Sequence, residues 1–222
     1  NFVTFDVSAR PKPILVMEYV EGPHLERVVE SGRLTLPFAF HVLDGIAAGL
    51  SAMHEAGIGH LDVKPSNVIV RTGEGEHAGQ PVLVDFGLAG RKVRPGCGTA
   101  EYGAPEVWTT AEARSATAAD VYSFGCLAYE VLTRKTLFEA PNHMALVSQH
   151  VSHDGVPPGV EALGALPGAG PLVEAFRMML RQRPEDRVSI QTAREALATA
   201  ARHLQSVPWP LAVEPRAAED AS

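Results

Sequence analysis

The sequence is short of what marks several large functional classes. Only two cysteines, Cys97 and Cys126, occur in 222 residues. Two make neither a disulfide framework nor a four-ligand zinc site, and both suit a reducing compartment, so a cytoplasmic setting is expected. Positive charge is scarce too: 19 Lys and Arg face 26 Asp and Glu, a formal net charge of −7. Proteins that neutralise phosphate backbones carry a basic face, so nucleic acid is not expected as a partner. No run approaches the roughly 18 uninterrupted apolar residues of a membrane span. Residues 1–20, with Asp6, Arg10 and Lys12, lack the basic start, apolar run and cleavage site of a secretory leader. Membrane contact within this segment is therefore not expected.

What is present is enough apolar content, 45%, to bury a core. Phe2–Val7 and Pro13–Tyr19 read as short strands, the second ending at the break Glu21-Gly22-Pro23. From Leu34 to Glu55 apolar residues recur at Leu36, Ala39, Val42, Leu43, Ile46, Leu50 and Met53, the spacing of a helix with one buried stripe. Residues 68–71 and 82–84 are brief β-rich runs about a Gly-rich turn, which reads as a hairpin. Helices are expected over residues 118–134, 141–151, 172–181 and 190–203, with prolines in the connections. From residue 204 the chain is rich in Pro, Ala and acid and reads as a linker. The expected fold class is α+β, mainly α.

The densest chemistry is His60-Leu61-Asp62-Val63-Lys64-Pro65-Ser66-Asn67, followed by Asp85-Phe86-Gly87. Phosphoryl transfer calls for a carboxylate to take a hydroxyl proton, a cation for the moving phosphoryl oxygens, and an amide oxygen with a carboxylate for Mg²⁺. Asp62, Lys64, Asn67 and Asp85 supply that set. With these residues the sequence resembles the eukaryotic-type serine/threonine protein kinase family. Gly98-Thr99-Ala100-Glu101-Tyr102-Gly103-Ala104-Pro105-Glu106 resembles the segment that receives the substrate peptide. Asp120-Val121-Tyr122-Ser123-Phe124-Gly125 resembles the buried helix that carries the catalytic loop, and Pro184-Glu185-Asp186-Arg187 the turn whose arginine pairs with Glu106.

The resemblance covers residues 1–203 and implies a kinase domain: two remnant N-lobe strands (fourth and fifth in the family's order) and hinge over 1–20, a helical C-lobe with small hairpins over 21–203, and a tail over 204–222. It implies ATP and Mg²⁺ as cofactors and a protein serine or threonine as acceptor, since Lys64 and Gly98-Thr99 follow the serine/threonine pattern. Asp62 would accept the proton, Lys64 stabilise the phosphoryl charge, and Asn67 with Asp85 hold the metal. Met17 would be the gatekeeper, the Glu18 carbonyl and Val20 amide would bind adenine, and Ile69 would underlie the base. His60, Phe86, Gly87, Thr99, Glu106, Asp120 and Arg187 would be structural or substrate-positioning. Cys126 is expected to pack in its helix, Cys97 to be no reactive thiol, and the glutamates at 18, 21, 26 and 30 to form a solvated edge.

Two departures stand out. Leu61 replaces the family's usual arginine, and residues 88–98 contain no serine, threonine or tyrosine. Phosphate acceptor and phosphate receptor are missing together, so activation by a phosphate in that stretch is not expected. Phe2 already stands at the family's fourth strand, so the Gly-rich loop, strand lysine and helix glutamate are not among these residues. Gly73-Glu74-Gly75 is in the wrong place and reads as a turn. Weak or no activity is thus expected from the 222 residues alone, which start at Asn1 as a fragment would. A pseudokinase or partner-binding module is the main alternative; a small-molecule phosphotransferase is a second, disfavoured by the peptide-receiving segment.

Overall fold

The computed structural model describes residues 2–5, 12–75, 77–91, 93, 96, 98–109, 115–153 and 156–213. Strands β1 (Phe2–Phe5) and β2 (Lys12–Leu15) pair antiparallel, Phe2 opposite Leu15. The second is shorter than its apolar run suggests. Residues 16–20 leave the ladder, with Val16 and Met17 half-exposed and Tyr19 open to solvent. Asp6 and Val7 lie outside the described residues. After the turn at Gly22 comes a short helix, α1 (Leu25–Glu30), which the acidic run had read only as an edge.

Helix α2 (Leu36–Glu55) starts where Thr35 accepts the Phe38 amide, with Pro37 in the first turn where no amide proton is needed. It is the helix among the described residues long and apolar enough to cross a membrane. Its apolar stripe, including Leu36, Leu43, Ile46 and Leu50, is buried in the protein core. The hairpin β3 (Val68–Val70) and β4 (Pro81–Leu83) lies against it, with Val68 opposite Leu83. Gly45 makes this approach possible, because a Cβ there would sit 2.5 Å from Pro81 Cγ.

The short helix α3 (Pro105–Trp108) leads to α4 (Ala116–Thr133), the central element, capped by Ser115. Fourteen α4 residues are buried, so it is apolar nearly all round, as a helix enclosed by others must be. Around it stand α5 (His143–Ser152), α6 (Pro158–Leu163), α7 (Gly170–Met179) and α8 (Ile190–His203). Helix α8 packs against both α7 and α2. The proline-rich connection thus contains a helix, α6, because Pro158 falls in its first turn.

The linker reading fails for residues 204–213. Leu204 and Leu211 are buried, the Leu211 amide donates to the Leu132 carbonyl (2.9 Å), and Trp209 Nε1 donates to Val131 (2.8 Å). The Arg134 guanidinium lies over the Trp209 ring. Three apolar anchors spaced among prolines suffice to dock a segment that composition alone assigns to solvent.

Candidate active site

The loop between α2 and β3 is shaped by Asp120 near the start of α4, a carboxylate with no solvent exposure. Its Oδ1 accepts the Leu61 amide and its Oδ2 the His60 amide, both at 2.7 Å, and Oδ2 also meets His54 Nε2 at 2.9 Å. Two charge-assisted bonds to adjacent amides fix that turn. They hold Leu61 at φ 66°, a left-handed conformation that costs a leucine about 1–2 kcal/mol elsewhere. His54 was not singled out from the sequence. The available signal was its place four residues after Leu50 on the buried stripe, where a polar side chain needs a partner.

His60 is fully buried: Nε2 donates to the Val84 carbonyl (3.2 Å), Nδ1 faces the Asp62 amide (3.4 Å), and the ring tilts against Phe86. Asp85, which follows β4, is left-handed at φ 62°, a conformation Asp tolerates. Its Oδ1 accepts the Gly87 amide (3.2 Å), and a Cβ on Gly87 would crowd that oxygen at 3.1 Å.

Three polar side chains converge on Asp62. Lys64 Nζ is 2.9 Å from Oδ2, Asn67 Nδ2 donates to Oδ2 and to the Asp62 carbonyl at 2.9 Å, and Thr99 Oγ1 donates to Oδ1 at 2.9 Å. Lys64 Nζ also donates to Thr99 Oγ1 at 2.9 Å. A carboxylate, an ammonium and a threonine hydroxyl are thus in mutual contact, partly open to solvent. The Asn67 amide protons go to Asp62, which leaves its oxygen to take a metal. No three His, Cys, Asp or Glu form a cage among the described residues. A hard cation such as Mg²⁺ needs only one or two protein oxygens when phosphates supply others, so Asn67 with Asp85 fits it.

The wall toward residues 16–24 runs beside β3. The Val70 amide donates to the Pro23 carbonyl and the Thr72 amide to Glu21, both 2.9 Å, and His24 bridges Ile69. Glu18 pairs with Arg71 at 2.8 Å, and that hydrogen bond holds its carboxyl below the usual range. Of the predicted adenine-side residues, Glu18 is thus tied to the hairpin through Arg71 and Ile69 lies within it, while Met17 is half-exposed.

Beyond Thr99 the segment is pinned to the helices. Tyr102 donates to Glu130 of α4 at 2.6 Å, and burial pushes both groups up. Glu106 and Arg187 form a two-pronged ion pair, 2.7 Å on each prong, with both side chains almost wholly buried. Cys126 is packed within α4, as expected, and burial raises its thiol, whereas Cys97 and Arg94 lie outside the described residues.

His150 of α5 is buried against Tyr122, and burial pushes its pKa down to about 4. The unfolded chain takes up that proton near pH 6.5, so His150 leaves stability intact above pH 6.5 and erodes it as pH falls toward 4. A loss of about 3 kcal/mol is expected across that window. Urea midpoints measured between pH 7 and pH 4 should fall, and His150→Phe should flatten the decline.

Comparison with known proteins identifies the family. The protein kinase domain family matches residues 5–198. The probable serine/threonine-protein kinase PknB of Corynebacterium glutamicum is 35% identical over 211 residues, covering 89% of this chain and 31% of the relative. The serine/threonine-protein kinase PknB of Mycobacterium tuberculosis is 33% identical over 209 residues, with coverage of 89% and 31%. The serine/threonine-protein kinase PkaA of Streptomyces coelicolor is 35% identical over 196 residues, with coverage of 84% and 34%. The chain spans about a third of the length of these curated relatives.

Proposed function

This chain belongs to the protein kinase family, and from that premise we propose that the protein carrying it transfers the γ-phosphoryl group of ATP to a serine or threonine hydroxyl of a protein. The observation that carries the proposal is the contact of Asp62 with Lys64, Asn67 and Thr99, all within 2.9 Å. The acceptor O–H gives its proton to the Asp62 carboxylate as its oxygen bonds to the γ-phosphorus. The bond from that phosphorus to the β-phosphate oxygen breaks, and ADP leaves. Lys64 offsets negative charge on the transferring group. Asn67 and Asp85 would hold Mg²⁺, whose chemistry is to neutralise phosphate charge. Thr99 keeps Asp62 and Lys64 in register.

On this reading β1 and β2 are the family's fourth and fifth strands, Met17 is the gatekeeper, Glu18 and Val20 offer backbone groups to adenine, and Ile69 lies under the base. The proposed setting is cytoplasmic. Leu61 and Val93 are both buried in the apolar core, so this part of the segment is seated by packing. We propose on that ground that no phosphate within residues 88–98 is needed. The intact Asp62, Lys64, Asn67 and Asp85 set gives the partner-binding alternative no support.

The test is γ-labelled ATP with a serine- and threonine-containing acceptor protein, run on the longest reading frame that carries this chain. Phosphoserine or phosphothreonine, lost on EDTA addition, is the expected product. Phosphotyrosine alone, metal-independent transfer, or an activating phosphate on Thr99 would each contradict part of the reading.

A further inference from the structure

The residue that caps the end of α4, Arg134, is left-handed at φ 60°. Glycine takes that conformation freely and arginine does not, so a side chain kept there is one that is used. Its contacts show the use. Arg134 Nη2 donates to the Glu30 carbonyl at the end of α1 (3.0 Å), and the guanidinium lies over the Trp209 ring, 5.8 Å from its centre. Gly32, just past α1, leaves room for this group: a Cβ there would stand 3.3 Å from Arg134 Nη1. One side chain thus joins the end of α4, the end of α1 and the segment that follows α8.

The last carbonyls of a helix have no donor inside it, and in α4 residues 207–213 supply what is missing. The Glu130 carbonyl takes the Arg134 amide (2.7 Å), the Val131 carbonyl takes Trp209 Nε1 (2.8 Å), and the Leu132 carbonyl takes the Leu211 amide (2.9 Å). Lys135 Nζ then holds the Val213 carbonyl at 3.1 Å. Helix α1 is fixed at its start by the bridge from His24 to Ile69 and by the Val70 amide on the Pro23 carbonyl. It buries Leu25 and Val29 and lies against β3 and Pro65–Asn67, whose Asn67 donates to Asp62. Arg134 therefore connects a docked segment late in the chain to a helix that supports the Asn67 loop.

We propose that Arg134 is a positioning residue that clamps the docked segment 207–213 to the end of α1, and so fixes the helix on which the Asn67 loop rests. The inference takes the roles of Asn67 and of residues 16–20 from the kinase reading; the clamp itself does not depend on it. Helix α1 follows closely on those adenine-side residues and lies against the loop of the metal-side asparagine, so loosening it affects the nucleotide. The peptide-receiving segment is tied elsewhere, by Tyr102 to Glu130 and by Glu106 to Arg187, so seating of the acceptor is left alone. Residues 207–213 are then a working part of the nucleotide side as well as a cap on α4.

Three variants of the full protein test the clamp: Arg134→Gly, Trp209→Leu and the two combined. Arg134→Gly relieves the left-handed backbone while it removes the contacts, so it should melt close to wild type; a residue that served only as a cap would change nothing else. Trp209→Leu keeps an apolar anchor but removes the Nε1 donor and the ring beneath the guanidinium. In either single variant, amide exchange over residues 25–32 should quicken about fivefold, the worth of one hydrogen bond. The double variant should be no worse than either alone, because both break the same link. KM for ATP should rise by a similar factor, with KM for the acceptor protein unchanged. Unchanged exchange over residues 25–32 in Trp209→Leu, effects that add in the double variant, or quickened exchange with an unaltered KM for ATP would overturn the proposal. Exchange as expected in a protein that transfers no phosphate would instead refute the kinase reading and leave the clamp standing.

Discussion

Arg187→Ala is expected to destabilise the fold by roughly 3–5 kcal/mol, about 10 °C in melting temperature for a domain of this size. All five guanidinium N–H groups are used. Two go to Glu106, and the others to the backbone carbonyls of Arg181, Ala118 and Gln182, none longer than 3.0 Å. The planar group also lies over the Tyr122 ring, 5.0 Å from its centre. Removing it leaves Glu106 buried without its partner and three carbonyls short of a donor, which is far costlier than the pair's net contribution. Lysine cannot replace it, because an ammonium has three donors and no fork. Urea unfolding of Arg187→Ala and of Arg187→Met/Glu106→Leu would settle the matter. The double variant, with no stranded charge, should recover much of the loss. A single variant within 1 kcal/mol of wild type would show that the pair is dispensable.

The second large effect is on activity. Asp62→Asn should lower kcat by about 10²–10⁴, the usual worth of a positioned general base, and leave KM for ATP nearly unchanged. The substitution is close to isosteric, and its amide oxygen can still accept from Asn67 or Thr99. What it lacks is the charge that pairs with Lys64 and the capacity to take the acceptor's proton. Steady-state kinetics alongside a thermal melt distinguish the outcomes. A large fall in kcat with an unchanged melt assigns Asp62 to the chemistry; a fall of less than tenfold would remove it from that role.

Much of the site was legible in the sequence because its residues cluster locally. His60 to Asn67 lie within one loop, and the Asp85-Phe86-Gly87 turn follows one hairpin later, so order and spacing were enough to name them. Glu106 and Arg187 are 81 positions apart and were still paired, but only through resemblance to a family. No period or composition links them. The hairpin and the long helices followed from apolar spacing, whereas α1, α3 and α6 did not, since four to six residues cannot display a helical period.

The sequence by itself determined which groups are available for phosphoryl transfer, the missing arginine at Leu61, and the apolar stripes that become α2, α4 and α8. Only the tertiary structure decided that His54 meets Asp120, that Tyr122 joins His150 and His153, that Tyr102 reaches Glu130, and that residues 204–213 dock on α4. Each of these is a polar or apolar group on one element satisfied by a group on another. Sequence shows that a buried donor or an anchor needs a partner, but which partner it finds depends on how the helices pack.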